Sequence, residues 1–339
     1  MVLAPTARRM RTHHVVGTPL GRPRKSTVPH PLPSATRPGP PRKPPGTPRD
    51  WSTIDRNLVN RGDVTLWIDP AVFGAPRGGT RGRPYHPAVI ELVCLLAASF
   101  RLPLRQAEGF TRGLLRLGGI YAPVPDHTTL CRRRKEIGFR PPPQREGPLV
   151  IAIDSTGITL CSPGEWTRHK YGDQRRAKYV KLHCGVNVTT GELTCAIVTP
   201  SEGKGSGDKS QGPVLIEAAR LLGPLAGVYG DGAYDARDCY RATADAGGRF
   251  YCPLPDNARY GGHPTRDLNL AQIGRIGPTK WNERIGYGDR AHIEGAFSAL
   301  KRTTGYRSAA RSLPGAIAEE LIRVNLYNRW RAQELADVG

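Results

Sequence analysis

The run Leu149-Val-Ile-Ala-Ile153 passes without a break into Asp154. A continuous apolar run rich in β-branched residues reads as a strand covered on both faces. A carboxylate at the end of such a strand is costly unless it is paired or coordinates something. The chain must therefore build a sheet buried by helices and supply a reason for the acid. The neighbouring pattern agrees. Lys178 to Val188 alternates, with Val180, Leu182, Cys184, Val186 and Val188 on one face and Lys181, His183 and Asn187 on the other. Thr190-Gly191 marks a hairpin turn, and Glu192 to Thr199 returns.

Further on, periodicity predicts a helix over about Pro213–Leu222 and a strand Gly227–Tyr229 leading into Gly230-Asp231. A helix over about Ala236–Ala246, a strand Arg249–Leu254, and two helices over about Gly288–Thr304 and Pro314–Leu335 follow. The polar, Gly-rich stretch at about 255–283 is expected to be an irregular insertion. The order β-β-β-α-β-α-β-α is that of a ribonuclease-H-like fold, so residues 149–335 are expected to form an α/β domain with a mixed sheet flanked by helices.

Upstream the pattern is helical from Trp51 to about Phe139. Pro87 opens an apolar helix over Ala88–Phe100, and Leu104–Leu117 repeats apolar residues at helical spacing before Gly118-Gly119. Asp126, Thr128 and Thr129 offer capping side chains to a short helix over Leu130–Ile137, which carries Arg132, Arg133, Arg134 and Lys135. Two helices, a turn and a basic third helix suit a helix-turn-helix-like DNA reader, with Thr128, Thr129, Arg132 and Arg133 as its contacts. Residues 140–148 are a Pro-rich linker. Residues 1–50 hold 12 of the 32 prolines and ten Lys or Arg, and are expected to be a disordered basic tail.

Charge narrows the partner. With 50 Lys plus Arg against 29 Asp plus Glu, the chain carries +21, which favours a polyanion through counterion release. No stretch approaches the roughly 20 apolar residues of a membrane span, and no basic amphipathic helix with a strong apolar face suggests a membrane surface. The 7 cysteines are scattered without a C-x-x-C pair, which argues against a zinc site or disulfide framework. A cytoplasmic, nucleoid-associated protein without a membrane partner is expected.

Asp231 stands where an apolar strand ends in a Gly-Asp-Gly turn, and carboxyl ends of neighbouring strands converge at one sheet edge. Two carboxylates brought together repel, and a divalent cation resolves the repulsion. A late helix offers a third. Tyr287, Arg290, Glu294 and Lys301 fall within an arc of about 60° at helical pitch. Ile293, Phe297 and Leu300 lie off that arc and would pack on the sheet. Glu294 can complete a metal set, and Arg290 and Lys301 can hold phosphates. Lys181 and His183, on the polar face of the second strand, are expected to touch phosphate. Trp166 could stack on an unpaired base. Asp235 is expected to cap the helix that follows Asp231.

These residues carry a resemblance. The spacing Tyr-(2)-Arg-(3)-Glu-(6)-Lys over Tyr287, Arg290, Glu294 and Lys301 resembles the signature of bacterial insertion-sequence transposases of the DDE superfamily. Ile153-Asp-Ser-Thr-Gly157 and Asp231-Gly-Ala-Tyr-Asp235 resemble the family's two aspartate motifs. Asn60-Arg-Gly62 through Trp67, Phe100–Arg105 and Pro125–Thr129 resemble its N-terminal region, so similarity covers about 51–331. The Gly-rich segment Glu202–Lys209 departs from it. The resemblance implies catalysis by Asp154, Asp231 and Glu294 with two divalent ions, Mg²⁺ with Mn²⁺ tolerated. It further implies double-stranded DNA as partner, cleavage at transposon ends, joining of the 3′-hydroxyl to target DNA, and a homodimer holding two ends. A ribonuclease-H-like nuclease without strand transfer, or a decayed or repurposed DNA-binding protein, remain alternatives.

Overall fold

The computed structural model describes residues 50–64, 69, 71–74, 85–144, 146–160 and 179–336. The tail expected over 1–50 (Asp50 apart) and the loop carrying Trp166 lie outside the described residues. The apolar run becomes β1 (Leu149–Leu160), the central strand. It pairs antiparallel with β2 (Tyr179–Asn187), which pairs antiparallel with β3 (Leu193–Pro200). On its other side it pairs parallel with β4 (Leu225–Tyr229), and β4 pairs parallel with β5 (Arg249–Tyr251). A short β6 (Arg307–Ser308) pairs parallel with the far end of β1. The sheet is mixed and six-stranded: the meander extended by parallel strands is what the element order predicts, and β6 is a strand that it did not contain.

Alternation along β1 gives the sheet two buried faces. Ala152 and Ile158 of β1, with Val180, Leu182, Cys184 and Val186 of β2, pack against Ile293, Phe297 and Leu300 of α10 (Ala291–Thr304) and Val324 of α11 (Leu313–Ala336). Ile151 and Ile153 point to the opposite face. There they meet Leu215 and Ile216 of α6 (Asp208–Arg220) and Cys239 and Tyr240 of α7 (Arg237–Asp245). Each fully buried aliphatic side chain contributes about 1.5–3 kcal/mol.

The helices before the sheet are α1 (Trp51–Gly62), α2 (Ala71–Gly74), α3 (Pro87–Ser99), α4 (Leu104–Leu117) and α5 (His127–Arg133). The apolar side of α3 meets Ala107, Leu130 and Ile137 in a third core, which also contains Ile322, Leu326 and Trp330 of α11. The helices of 51–139 therefore share a core with the last helix of the sheet region, and residues from Trp51 onward form one compact unit. Among the described residues, no single helix is long and apolar enough to cross a membrane.

Three local expectations need correction. The stretch at 255–283 is not irregular: it contains α8 (Pro264–Ile276) and α9 (Pro278–Ile285). Second, α6 starts at Asp208, and Pro213 lies inside it. Gly212, just before the expected start, is a close approach, because a Cβ on it would lie 2.6 Å from Cys239 Sγ and 2.9 Å from Tyr234 Cδ1. Third, Tyr287–Arg290 is a 3-10 turn preceding α10. Gly286, at φ 69°, adopts the left-handed conformation that ends α9 and admits this turn.

Candidate active site

Asp154 lies in β1 with each carboxylate oxygen held. Oδ1 accepts from the Ser155 N–H at 2.7 Å and Oδ2 from Arg290 Nη2 at 3.0 Å. Burial raises its pKa. The Ser155 N–H and Arg290 oppose that rise, and the carboxylates of Asp231 and Asp208 add to it. Asp231 follows the end of β4, the parallel neighbour of β1, and caps the 3-10 turn Gly232–Tyr234 by accepting from Ala233 N at 2.9 Å. Parallel pairing thus brings both aspartates to one sheet edge, within electrostatic range of each other.

The segment Tyr287–Lys301 lies along that edge. Tyr287 donates its hydroxyl to Gly230 O at 2.9 Å, beside Asp231. Arg290 forks, giving Nη1 to Glu294 Oε1 at 2.7 Å and Nη2 to Asp154. Lys301 donates to Thr156 Oγ1 at 2.6 Å and Gly157 O at 3.1 Å. The arc drawn from sequence spacing therefore faces the polar end of β1. Burial would lower the pKa of Arg290, but Asp154, Tyr287, Glu294 and Asp231 outweigh it, and the value is raised. Burial lowers that of Lys301.

Among the described residues, no group of three or more His, Cys, Asp or Glu side chains is arranged to hold a metal ion. Asp154 and Glu294 grip Arg290 instead, and the Glu294 side chain is 59% exposed. The donor chemistry fits a divalent cation all the same. The three side chains offer only hard carboxylate oxygens, and a positive charge already balances two of them.

The other expected contacts separate into exposed and committed groups. His183 is fully buried, its Nε2 3.0 Å from Thr199 Oγ1, so it cannot reach a phosphate. Lys181 is bound to Asp208 at 2.9 and 2.7 Å. The placement of both has one cause: α6 packs over the polar face of β2, burying His183 and pairing Lys181. Tyr287 is half-buried with its hydroxyl committed to Gly230. Thr129 is buried, and both it and the exposed Thr128 turn their hydroxyls back to the cap residue Asp126. Arg133 donates to Tyr85 O at 2.6 Å, which leaves Arg132 as the exposed cation of that expected set. Asp235 is no cap, since Ala236 occupies that position before α7. It accepts from Arg266 of α8 at 2.8 and 2.9 Å. Sequence reasoning missed Asp208 altogether, and a Gly-Asp step opening a helix was the one signal available for it.

Comparison with known proteins gives a family. A family model described as a transposase DDE domain matches residues 145–328, and a second with that description matches 59–163. Among solved structures, the piggyBac transposase synaptic complex with hairpin DNA is similar at 9% identity, TM-score 0.41, over 81% of this chain and 72% of that one. The Drosophila P element transposase strand transfer complex is similar at 12% identity, TM-score 0.30, over 84% and 66%. A pre-cleavage Mos1 transpososome is similar at 12% identity, TM-score 0.21, over 86% and 89%.

Proposed function

From the chain's membership of the transposase DDE domain family, which makes it a divalent-metal-dependent DNA transposase, we propose that Asp154, Asp231 and Glu294 are its catalytic acids. The observation that carries this reading is the Arg290 fork, which joins a strand carboxylate to a helix carboxylate beside Asp231. These three acids would hold two Mg²⁺ ions, or Mn²⁺. The chemistry supplied by such ions would be activation of the attacking oxygen and stabilisation of the leaving one.

The remaining residues bind and orient. Ser155 N–H and Arg290 fix the rotamer of Asp154, so its carboxylate needs little reorganisation. Arg290 can exchange a carboxylate for a bidentate phosphate contact, and Lys301 sits along β1 as a second cation for the DNA backbone. Exposed Arg132 on α5 supports a backbone contact away from the acids. The substrate is double-stranded DNA at transposon ends. Hydrolysis exposes a 3′-hydroxyl, whose oxygen attacks a target phosphodiester and displaces the target strand's own 3′-oxygen, so one ester bond forms as one breaks. Two ends must be held together, so the working form is a homodimer on DNA. The charge of +21 keeps the protein on the nucleoid.

The test uses the purified full chain, a labelled transposon end and Mg²⁺. Asp154→Asn, Asp231→Asn and Glu294→Gln should each abolish cleavage while end binding persists. Retained cleavage in any of them removes that acid from the site. A pre-cleaved end with plasmid target should yield joined product; hydrolysis without joining would favour a nuclease.

A further inference from the structure

Behind Asp154, on the opposite face of the sheet, lies a polar cluster with no part in the proposed chemistry. Asp208, first residue of α6, accepts from Ser155 Oγ at 2.7 Å and from Lys181 Nζ at 2.9 and 2.7 Å. His183 Nδ1 stands 3.4 Å from the same carboxylate, buried and without a hydrogen-bond partner. The hydroxyl of Tyr234, also buried and unpartnered, lies beside Ser155. Tyr234 belongs to the turn that Asp231 caps, and Gly212 of α6 packs against its ring. One helix therefore anchors the strand of Asp154 through Asp208 and abuts the turn of Asp231 through Gly212.

We infer that Asp208 is a positioning residue: by holding Ser155 from the back of the sheet, it fixes the N–H that orients the Asp154 carboxylate. The inference rests on the reading of Asp154 as a catalytic acid. Successive strand residues point to opposite faces, so Asp154 and Ser155 share a planar peptide while their side chains diverge. A hydrogen bond on the Ser155 side chain restrains rotation of that peptide, and with it the donor to Asp154 Oδ1. An ion pair needed only for folding would require Lys181 and Asp208. The Ser155 bond adds a link to the acid itself. Groups that orient a metal ligand are worth about 10–100-fold in metal affinity or activity.

The experiment compares Ser155→Ala, Asp208→Asn and their double variant in the full chain. It reads kcat and KM for end cleavage at saturating Mg²⁺, Mn²⁺ binding from the free-ion EPR signal, and the melting temperature. Ser155→Ala leaves the Lys181–Asp208 pair intact, so it stays informative if Asp208→Asn fails to fold. The expected result is a kcat about tenfold lower or more and Mn²⁺ binding weakened about tenfold, with KM for DNA and melting temperature unchanged in Ser155→Ala. A double variant no worse than the poorer single one would show a single link. Unchanged kcat and Mn²⁺ binding in folded Ser155→Ala would overturn the inference, as would losses that follow the melting temperature. Asp154→Asn run alongside separates the failures. If it stays active, the reading of Asp154 falls. If it is inactive while Ser155→Ala is not, only the positioning role falls.

Discussion

Arg290 holds the carboxylates of Asp154 and Glu294 at once, and this fixes how the site should respond to pH. Its positive charge lowers the pKa of Asp154 against burial, which raises it. In Arg290→Gln the opposing charge is gone, so the Asp154 pKa must rise further. On the proposed reading Asp154 works ionised, so the acid limb of the cleavage–pH profile should move to higher pH; a limb left in place would separate Arg290 from Asp154. Arg290→Lys keeps the charge but loses the fork, and should lower kcat about 10²-fold through misplacement of the carboxylates. Asp154 and the Arg–Glu–Lys spacing were legible in the sequence, because an acid after an apolar run and a helical period each have few explanations. Lys181 and His183 misled because alternation shows that a strand has two faces, not what covers the second. Asp208 stayed hidden in a Gly-rich segment that carries no period.

At the scale of elements, β1 to β5 were legible, whereas the two-residue β6 and the polar-fixed helix α8 were not. The β1–β3 meander follows from apolar alternation and a turn signal. By contrast, α8 buries only Asn269. It is held by the His263 cap on Thr265 N at 3.2 Å, by Asn269 Nδ2 to Phe250 O at 3.0 Å, and by Arg266 on Asp235. Polar attachments of this kind leave no hydrophobic period to read. The start of α6 was missed because Pro213 reads as the first residue of a helix, whereas the helix begins at Asp208 and Gly212 serves close packing. Gly212→Ala should therefore cost about 1–3 kcal/mol through overpacking against Tyr234 and Cys239, read as a lower urea midpoint with an unchanged slope. If the midpoint holds, α6 can shift away from the turn, and the packing between them is looser than it looks.

At the scale of the molecule, the Pro-rich stretch at 140–148 reads as a linker, yet α11 spans it. Asn325 donates to Gly138 O at 2.9 Å and accepts from Arg140 N at 2.8 Å, while Asn328 bonds both the N–H and the carbonyl of Leu193 in β3 at 2.8 Å. Ile322, Leu326 and Trp330 recur every four residues along α11 and enter the core of α3 and α4, whereas Val324 and Tyr327 enter the sheet core. Arg61 of α1 closes the far end on Glu334 at 3.0 Å. The helices expected to contact DNA and the sheet that carries the acids are thus two sides of one packed unit. Leu326→Ala, a cavity in the shared core, should cost about 2–5 kcal/mol. It should lower the helix signal by far-ultraviolet circular dichroism and the tertiary signal by near-ultraviolet dichroism at one common midpoint. A chain of residues 140–339 exposes Ile322, Leu326 and Trp330 together and should lose cooperative melting. If that piece instead melted sharply at the temperature of the whole chain, the sheet would be independent of the helices before it, and α11 would be no bridge between DNA contact and catalysis.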